Sequence, residues 1–449
     1  MKKILIVTYY YKHKNAMASI RPIKLAKYFS AMGNDVYVLT SKQKDTWTAH
    51  YNEVVNDSKI KEMYADEDAK WKIVRKYLDH RGKVGNRKIL LSEEKKDNKS
   101  VDSVASGHRF RTALKSKLSW LFYFALGRIE DVCMFHGMRR RIKSENIRGF
   151  DFVIATYPNY GAFLTGIWLK KKGYCKKFIA DFRDPLYNPG FKQERIERRY
   201  DLKCLRKTMK YSDKVVCVSN GIADSIKQVM KPIEPDISVI TNGYDTDDVY
   251  NNNVSVSFDD EKINFVYTGV LYHGKRCVDT LAKVLKRLIE EKKIDRDSFT
   301  FEYAGNDYYE LLSQLKKYGS EFSANDHGFI SRDMAIAMQK AADILLLLTW
   351  NEKEYQGVIP GKLFEYMAIG TVPIVALISG NVKNSEVSQI IKDTNVGIAV
   401  EEADGKNGED ALYRYLVDVF SKRVSTKNRN AEKYNYYNIS KEYMKLLED

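Results

Sequence analysis

The segment Gly357-Val-Ile-Pro-Gly-Lys-Leu-Phe-Glu365 carries the sharpest chemistry in the chain. Pro360-Gly361 open a short helical pattern whose first turn holds Lys362. A helix start with a cation beside it suits phosphate oxygens. Glu365 falls one turn further in, among Leu363, Phe364, Met367 and Ala368. A carboxylate there is costly without a partner, and a ribose diol would donate to it well. A bare surface glutamate is the plain alternative. The second candidate is Thr268-Gly269-Val-Leu-Tyr-His-Gly274-Lys275-Arg276, which follows the apolar run Ile263–Tyr267. It nearly matches the phosphate loop G-x-x-x-x-G-K-[ST], but Arg276 stands where a magnesium-holding hydroxyl belongs. What survives is a loop freed by Gly269 and Gly274, with two adjacent cations at a helix start. Such a loop can seat a diphosphate without a metal; a glycine turn with two exposed bases is the other reading.

Arg183-Asp184-Pro185 follow the strand-like run Phe178–Asp181, at the end where open α/β sheets place ligands. They read either as contacts to a ligand, or as an Arg–Asp pair fixing a loop. The first strand runs into Thr8-Tyr9-Tyr10-Tyr11 with no G-x-G-x-x-G, which excludes a dinucleotide fingerprint. Asp245-Thr-Asp247 has the Asp-x-Asp form of a manganese site, but so do Asp66-Glu-Asp68 and Asp295-Arg-Asp297. The pattern is cheap, and no metal is expected.

Short Val/Ile-rich runs that are apolar throughout must position these residues, as strands buried on both faces of a parallel sheet do. They are Lys3–Thr8, Val36–Thr40, Phe152–Thr156, Phe178–Asp181 and Val215–Ser219, then Ile237–Ile240, Ile263–Tyr267, Phe299–Tyr303, Ile344–Thr349 and Val372–Val375. Helical patterns at Ile20–Met32, Ile196–Tyr211, Val278–Lys292, Met334–Ala342 and Lys362–Ile369 lie between many of them. The alternation predicts an α/β protein of two doubly wound, Rossmann-like domains. Residues 43–110 are polar and aperiodic and read as an insertion. Pro232 and Pro235 mark a linker, so the domains are expected at 1–235 and 236–436.

The chain has 449 residues and a net charge of +16, from 75 Lys/Arg against 59 Asp/Glu. That balance suits a polyanion, a lipid surface or phosphorylated small molecules. Five scattered cysteines suggest neither a disulfide framework nor a zinc module, which points to a reducing, cytoplasmic setting. Phe152–Leu169 and Tyr366–Val382 approach membrane-spanning length but are broken by Pro, Gly and Asn. Residues 109–148 hold ten bases against three acids, and Leu114, Leu118, Leu121, Phe122 and Ala125 recur there at helical spacing beside Trp120, Tyr123 and Phe124. The stripe at 109–143 fits either core packing or peripheral contact with an anionic membrane.

Several segments, in order, resemble retaining GT-B glycosyltransferases of glycosyltransferase family 4, in the subset that makes surface polysaccharides. They are Ala18-Ser-Ile-Arg21, Gly33–Thr40, Ile179-Ala-Asp181-Phe-Arg183-Asp184-Pro185, Tyr211–Ser219, Val239–Asp245, Asp326–Phe329, Ala342–Leu348 and 357–374. The resemblance implies two domains facing across a cleft, with a C-terminal helix (437–449) returning to the first. It also implies a nucleoside diphosphate sugar donor, UDP favoured, and a polysaccharide or lipid-linked saccharide acceptor, with no cofactor and no nucleic acid. Gly269, Gly274, Pro360, Gly361, Lys362 and Glu365 would hold the donor, Lys275, Arg276 and Glu365 would act in catalysis, and Arg21, Asp181, Arg183 and Asp184 would contact acceptor or sugar. Three departures stand out. Gly357 replaces the first acid of the family's Glu-x7-Glu, Val270 replaces an Arg, and the opening loop lacks a Gly-Gly pair. A degenerate, non-catalytic binder of polyanions or membranes is the alternative.

Overall fold

The computed structural model describes residues 1–12, 17–42, 59–66, 68, 71–72, 107–188, 193–318, 322–421 and 430–448. The first unit runs β1 (Lys3–Val7), α1 (Met17–Ala31), β2 (Asp35–Ser41), β3 (Lys61–Ala65), α2 (Gly107–Glu145), β4 (Phe150–Tyr157), α3 (Tyr160–Lys171), β5 (Cys175–Phe182), α4 (Arg195–Tyr211), β6 (Lys214–Cys217), α5 (Asn220–Met230) and β7 (Ile237–Val239). The second runs α6 (Asp247–Tyr250), β8 (Ile263–Thr268), α7 (Asp279–Glu290), β9 (Phe299–Ala304), α8 (Tyr308–Lys316), β10 (Ala324–Asp326), α9 (Arg332–Ala341), β11 (Ile344–Trp350), α10 (Gly361–Ile369), β12 (Ile374–Ser379), α11 (Glu386–Thr394), β13 (Gly397–Glu401) and α12 (Lys406–Phe420). Helix α13 (Tyr436–Glu448) closes the chain.

Each unit is one parallel sheet, ordered β3-β2-β1-β4-β5-β6-β7 in the first and β10-β9-β8-β11-β12-β13 in the second. The order reverses between β1 and β4, and between β8 and β11, so each sheet has a switch point at the C-terminal ends of those strands. The strands are apolar on both faces because both faces are covered. In β1, Leu5 and Val7 pack toward α2–α5, while Ile4 and Ile6 pack toward α1 and α13.

Two expectations need correction. Ile237–Val239 pairs in parallel with β6, so the first sheet continues past residue 235. Apolar character in so short a run does not say which sheet it joins. The 43–110 stretch contains an edge strand, β3, hydrogen-bonded to β2, and α2 already begins at Gly107. A charged edge strand such as Lys61-Glu-Met-Tyr-Ala65 buries one face only and lacks the apolar run of central strands. Residues 43–58 and 73–106 of that expected insertion lie outside the described residues.

The two units are joined twice, and the joints are locked together. Tyr244 N donates to Tyr434 O at 2.9 Å and Tyr436 N donates to Tyr244 O at 2.9 Å. Beyond this bridge α13 lays Tyr436, Ile439, Tyr443 and Leu447 into the α1 face of the first unit. Arg21 in α1 ties these pieces together. Its guanidinium makes paired contacts to Asp181 at 3.0 and 3.2 Å and reaches Ile240 O at 2.9 Å, Thr241 O at 2.6 Å and the Tyr443 hydroxyl at 2.8 Å. The Tyr443 hydroxyl donates to Asp181 at 2.6 Å. Beside this cluster Lys24, fully buried, bonds to Asp245 at 2.9 Å and to Asp248, and Lys27 bonds to Asp245 at 2.7 Å.

Removing one partner of a buried ion pair strands the other charge, at a cost of about 3–5 kcal/mol. Asp181→Asn is therefore expected to lower unfolding free energy by about that much in urea titration, with Arg21 left uncompensated. A loss below about 1 kcal/mol, the scale of an exposed pair, would remove this cluster from the stability argument.

Candidate active site

The segments that follow β1, β5 and β6 in the first unit face α6, α9 and the stretch leading into α10 in the second across the space between the units. A cavity of about 240 Å³ lies there, walled by Arg183 and Asp184 from the first unit and by Arg332, Gly357, Gly361 and Glu365 from the second. The packed apolar strands below supply rigidity, and the loops supply the polar groups.

Glu365 does not stand alone. Gln339 Nε2, from α9, donates to Glu365 Oε1 at 2.8 Å and to Thr268 Oγ1 at 2.9 Å. Lys362 Nζ donates to the same Thr268 hydroxyl at 2.9 Å and lies 3.9 Å from Glu365. Arg332 Nε lies 3.8 Å from Glu365 Oε2. Burial pushes the Glu365 carboxyl up, but Lys362, Arg332 and the Gln339 hydrogen bond outweigh it and hold it below the usual range. Burial pushes the Lys362 ammonium down, with Glu365 pulling the other way. Thr268, Gln339 and Arg332 were not among the expected residues. The available signal was spacing: Arg332 and Gln339 are seven apart, two turns on one face of α9.

Helix α10 begins after Pro360 with no side-chain cap, so its first N–H groups keep their capacity for an anion. Gly269 has φ +155°, and a Cβ there would come within 3.1 Å of the Lys362 side chain, so the glycine lets Lys362 lie against the β8 end. Arg276 Nη1 reaches Tyr267 OH at 3.3 Å and Val270 O at 3.2 Å, and its guanidinium lies 4.5 Å from the Tyr272 ring. Gly274 (φ +83°) makes the turn that brings it back. Lys275 points elsewhere: it is half-exposed and bonds to Glu352 at 3.1 Å. The local cation pair is thus Lys362 and Arg276.

Arg183 Nε donates to Tyr157 O at 3.0 Å and Nη1 donates to Ala18 O, while Nη2 is buried without a hydrogen-bond partner. Burial holds its guanidinium below the ordinary range, opposed by Asp181 and Asp184. Asp184 is exposed beside it in the cavity wall. Asp181, expected to meet a sugar, is instead fully buried against Arg21 and Tyr443, with both carboxylate oxygens taken. Arg21 reaches the cavity wall, but its guanidinium is turned to Asp181 and the interdomain chain. Asp245 of the Asp-x-Asp pattern is held by two lysines. Burial pushes its carboxyl up, yet Lys24 and Lys27 more than offset this and keep it at about 2.

Position 357 explains its own departure. Gly357 has φ +78°, and a Cβ would come within 2.7 Å of Gly221 Cα and 2.8 Å of Ser219 Oγ in the first unit. The units touch backbone to backbone here. Next to it, Glu386 of the second unit accepts from Asn220 N (2.8 Å), Asn220 Nδ2 (3.0 Å) and Gly221 N (2.9 Å), capping α5 of the first.

Residues 99–248 match the model of Glycosyltransferase Family 4. No curated protein matches the chain. Among solved structures it is similar to a sucrose-phosphate synthase from Thermosynechococcus elongatus, at 12% identity and TM-score 0.58 over 100% of this chain and 98% of that one. It is similar to the apo form of the lipopolysaccharide outer core galactosyltransferase WaaB, at 15% identity and TM-score 0.54 over 98% of both chains. A trehalose-6-phosphate protein from E. coli bound with UDP-2-fluoro glucose gives 11% identity and TM-score 0.57 over 99% of both chains. The two parallel-sheet domains are those of the GT-B glycosyltransferase fold.

Gly357→Glu, which restores the family acid, is expected to force the units apart where Gly221 abuts. Small-angle scattering should show a larger radius of gyration than the wild type; an unchanged radius would mean the contact yields without opening.

Proposed function

We propose that this chain transfers a sugar from a nucleoside diphosphate sugar, UDP-linked by expectation, to a saccharide or lipid-linked saccharide acceptor, with retention and without a metal. One observation carries the reading: Lys362, Arg276 and the uncapped start of α10 converge on the β8 end, with buried Glu365 beside them. That is a cationic seat for a diphosphate next to a carboxylate poised for ribose hydroxyls. As the glycosidic bond breaks, negative charge grows on the leaving diphosphate, and fixed donors stabilise it more than they stabilise the bound donor. Asp184 stands across the cavity on the acceptor side. Retention follows the resemblance, in which the departing phosphate assists the acceptor hydroxyl on the same face.

Helix α2 supports a membrane-borne acceptor. Its inner face buries Leu126, Cys133, Met134, Met138 and Ile142, while Leu121, Phe122, Tyr123, Ile129 and Val132 are exposed. Exposed Ile196 opens the basic helix α4, which packs on α2 through Phe124–Tyr200 and Arg128–Asp201. Apolar side chains in a basic surround suit an anionic leaflet. Among the described residues no helix is long and apolar enough to cross a membrane. We place the chain in the cytoplasm, on the inner face of the membrane.

In a thermal-shift panel, UDP at 100 times its Kd should stabilise the protein by about 2.7 kcal/mol, undiminished by EDTA. The shift should vanish in Lys362→Ala and persist largely in Lys275→Ala; stabilisation by ATP that EDTA abolishes would replace this reading with a phosphate-loop one, and no shift with any nucleotide would leave the non-catalytic alternative. Vesicles containing phosphatidylglycerol should carry the wild type upward in flotation and leave Tyr123→Glu behind, whereas equal flotation of the two would confine α2 to packing.

A further inference from the structure

A chain of alternating charges runs from the first unit into the donor seat. Lys24 on α1 is fully buried and bonds to Asp245 at 2.9 Å and to Asp248 Oδ1. The other oxygen of Asp248 takes Arg332 Nη2 at 3.4 Å. Arg332 Nε in turn lies 3.8 Å from Glu365 Oε2, and Lys362 lies 3.9 Å from Glu365 Oε1. Cation and anion alternate along the whole path, which crosses α1, α6, α9 and α10. Asp248, Arg332 and Glu365 all reach the wall of the main cavity.

The middle of this path is braced. Besides the bond from Arg332 to Asp248, Lys340 Nζ on α9 donates to Val249 O at 2.5 Å, and Asn252 Nδ2 donates to Asp333 O at 2.7 Å. Three contacts thus tie α9 to 248–252. Helix α1 grips the same crossing at Asp245, Asp247 and Asp248 through Lys24 and Lys27. The guanidinium at the first residue of α9 is therefore fixed with reference to both units.

The two oxygens of Glu365 are treated differently. Oε1 accepts from Gln339 at 2.8 Å and lies nearest Lys362. Oε2 meets Arg332 at 3.8 Å, a charge contact longer than a hydrogen bond, which attracts the carboxylate without saturating it. An ionised carboxylate is an acceptor only, with about four lone-pair sites, and a vicinal diol offers it two donors. The side chains of Glu365 and Asp248 are each 9% exposed and that of Arg332 is 22% exposed, so water screens these charges poorly. Without Arg332, Glu365 is drawn toward Lys362 alone and Asp248 toward Lys24.

We infer that Arg332 is a positioning residue for ribose recognition: it orients the Glu365 carboxylate toward the hydroxyls of a bound nucleotide, and Asp248, clamped by Lys24 of the first unit, orients Arg332. The inference rests on the transferase reading and adds to it how the domain junction reaches the donor seat. Nucleotide binding and the placement of the two units are thereby coupled through one side chain.

The test is isothermal titration calorimetry on the full chain with UDP, GDP and ADP, each paired with its 2′-deoxy form, and with inorganic pyrophosphate. The wild type should bind at least one ribonucleotide about tenfold more tightly than its 2′-deoxy form, the scale of one hydrogen bond to a charged group. Arg332→Met, similar in length but uncharged, should bring that ratio close to one while binding pyrophosphate as the wild type does, which also shows that the variant is folded. Arg332→Lys, which keeps the charge, should restore part of the ratio, and Asp248→Asn should lower it by less than Arg332→Met. A ratio unchanged in Arg332→Met would overturn the inference, as would an equal loss of pyrophosphate and both nucleotide forms, the mark of a merely structural residue. A wild type that binds ribonucleotide and 2′-deoxy form equally sinks the inference and spares the diphosphate seat; a wild type that binds no nucleotide sinks the transferase reading with it.

Discussion

The buried guanidinium of Arg21 is the constraint on which the geometry between the domains depends. An arginine that is 1% exposed must have its charge and its donors matched on the spot, because water is not there to do it. Asp181 supplies the charge, and Ile240 O, Thr241 O and Tyr443 OH supply the remaining acceptors. Those groups come from β5, from the chain leaving the first sheet, and from the helix that returns to it. Satisfying one side chain therefore fixes where both crossings leave the first domain. The lysine pairs on Asp245 extend the same logic one step toward the second domain. Side chains that resemble a ligand site by type are here spent on holding the cleft.

A cleft built this way can also be held shut. Glycines at 221 and 357 meet without side chains between them, and Glu386 accepts three hydrogen bonds at the start of α5. A carboxylate at a helix N-terminus is favoured by the orphan N–H groups and by the helix dipole. Glycine at 357 permits this close approach, and the carboxylate in the same cavity wall, Glu365, is supported from three directions by Gln339, Lys362 and Arg332.

Much of this was legible in the sequence, and the failures have physical causes. The doubly wound order, most central strands and the α10 helix follow from long apolar runs that only a sheet covered on both faces can bury. Lys362 and Glu365 were recognisable because a charge on an apolar helix demands an explanation. The edge strand β3 was missed because half its residues face outward and mimic a polar loop. Arg21 and Asp181 were misread because residue type cannot distinguish a charge that awaits a ligand from one already met by residues 160 positions away. Lys275 was overvalued for the same reason: a cation in a phosphate-like loop means little until its neighbours, here Glu352, are known.

The last departure from the family, Val270, is where sequence and structure are best read together. The resemblance leads one to expect an arginine after the strand glycine, where this chain has Val270. Arg276 grows from the helix side of the loop, yet its Nη1 lies 3.2 Å from Val270 O. The turn at Gly274 brings the guanidinium back over the backbone of residue 270. Stacking 4.5 Å from the Tyr272 ring leaves the planar fork oriented rather than solvated, and an oriented fork loses little entropy on meeting two phosphate oxygens. Its buried Nε still lacks a partner. A cation thus reaches the backbone of residue 270 from elsewhere in the same loop, and of the two bases that the spacing offered it is Arg276, not Lys275, that turns toward the β8 end.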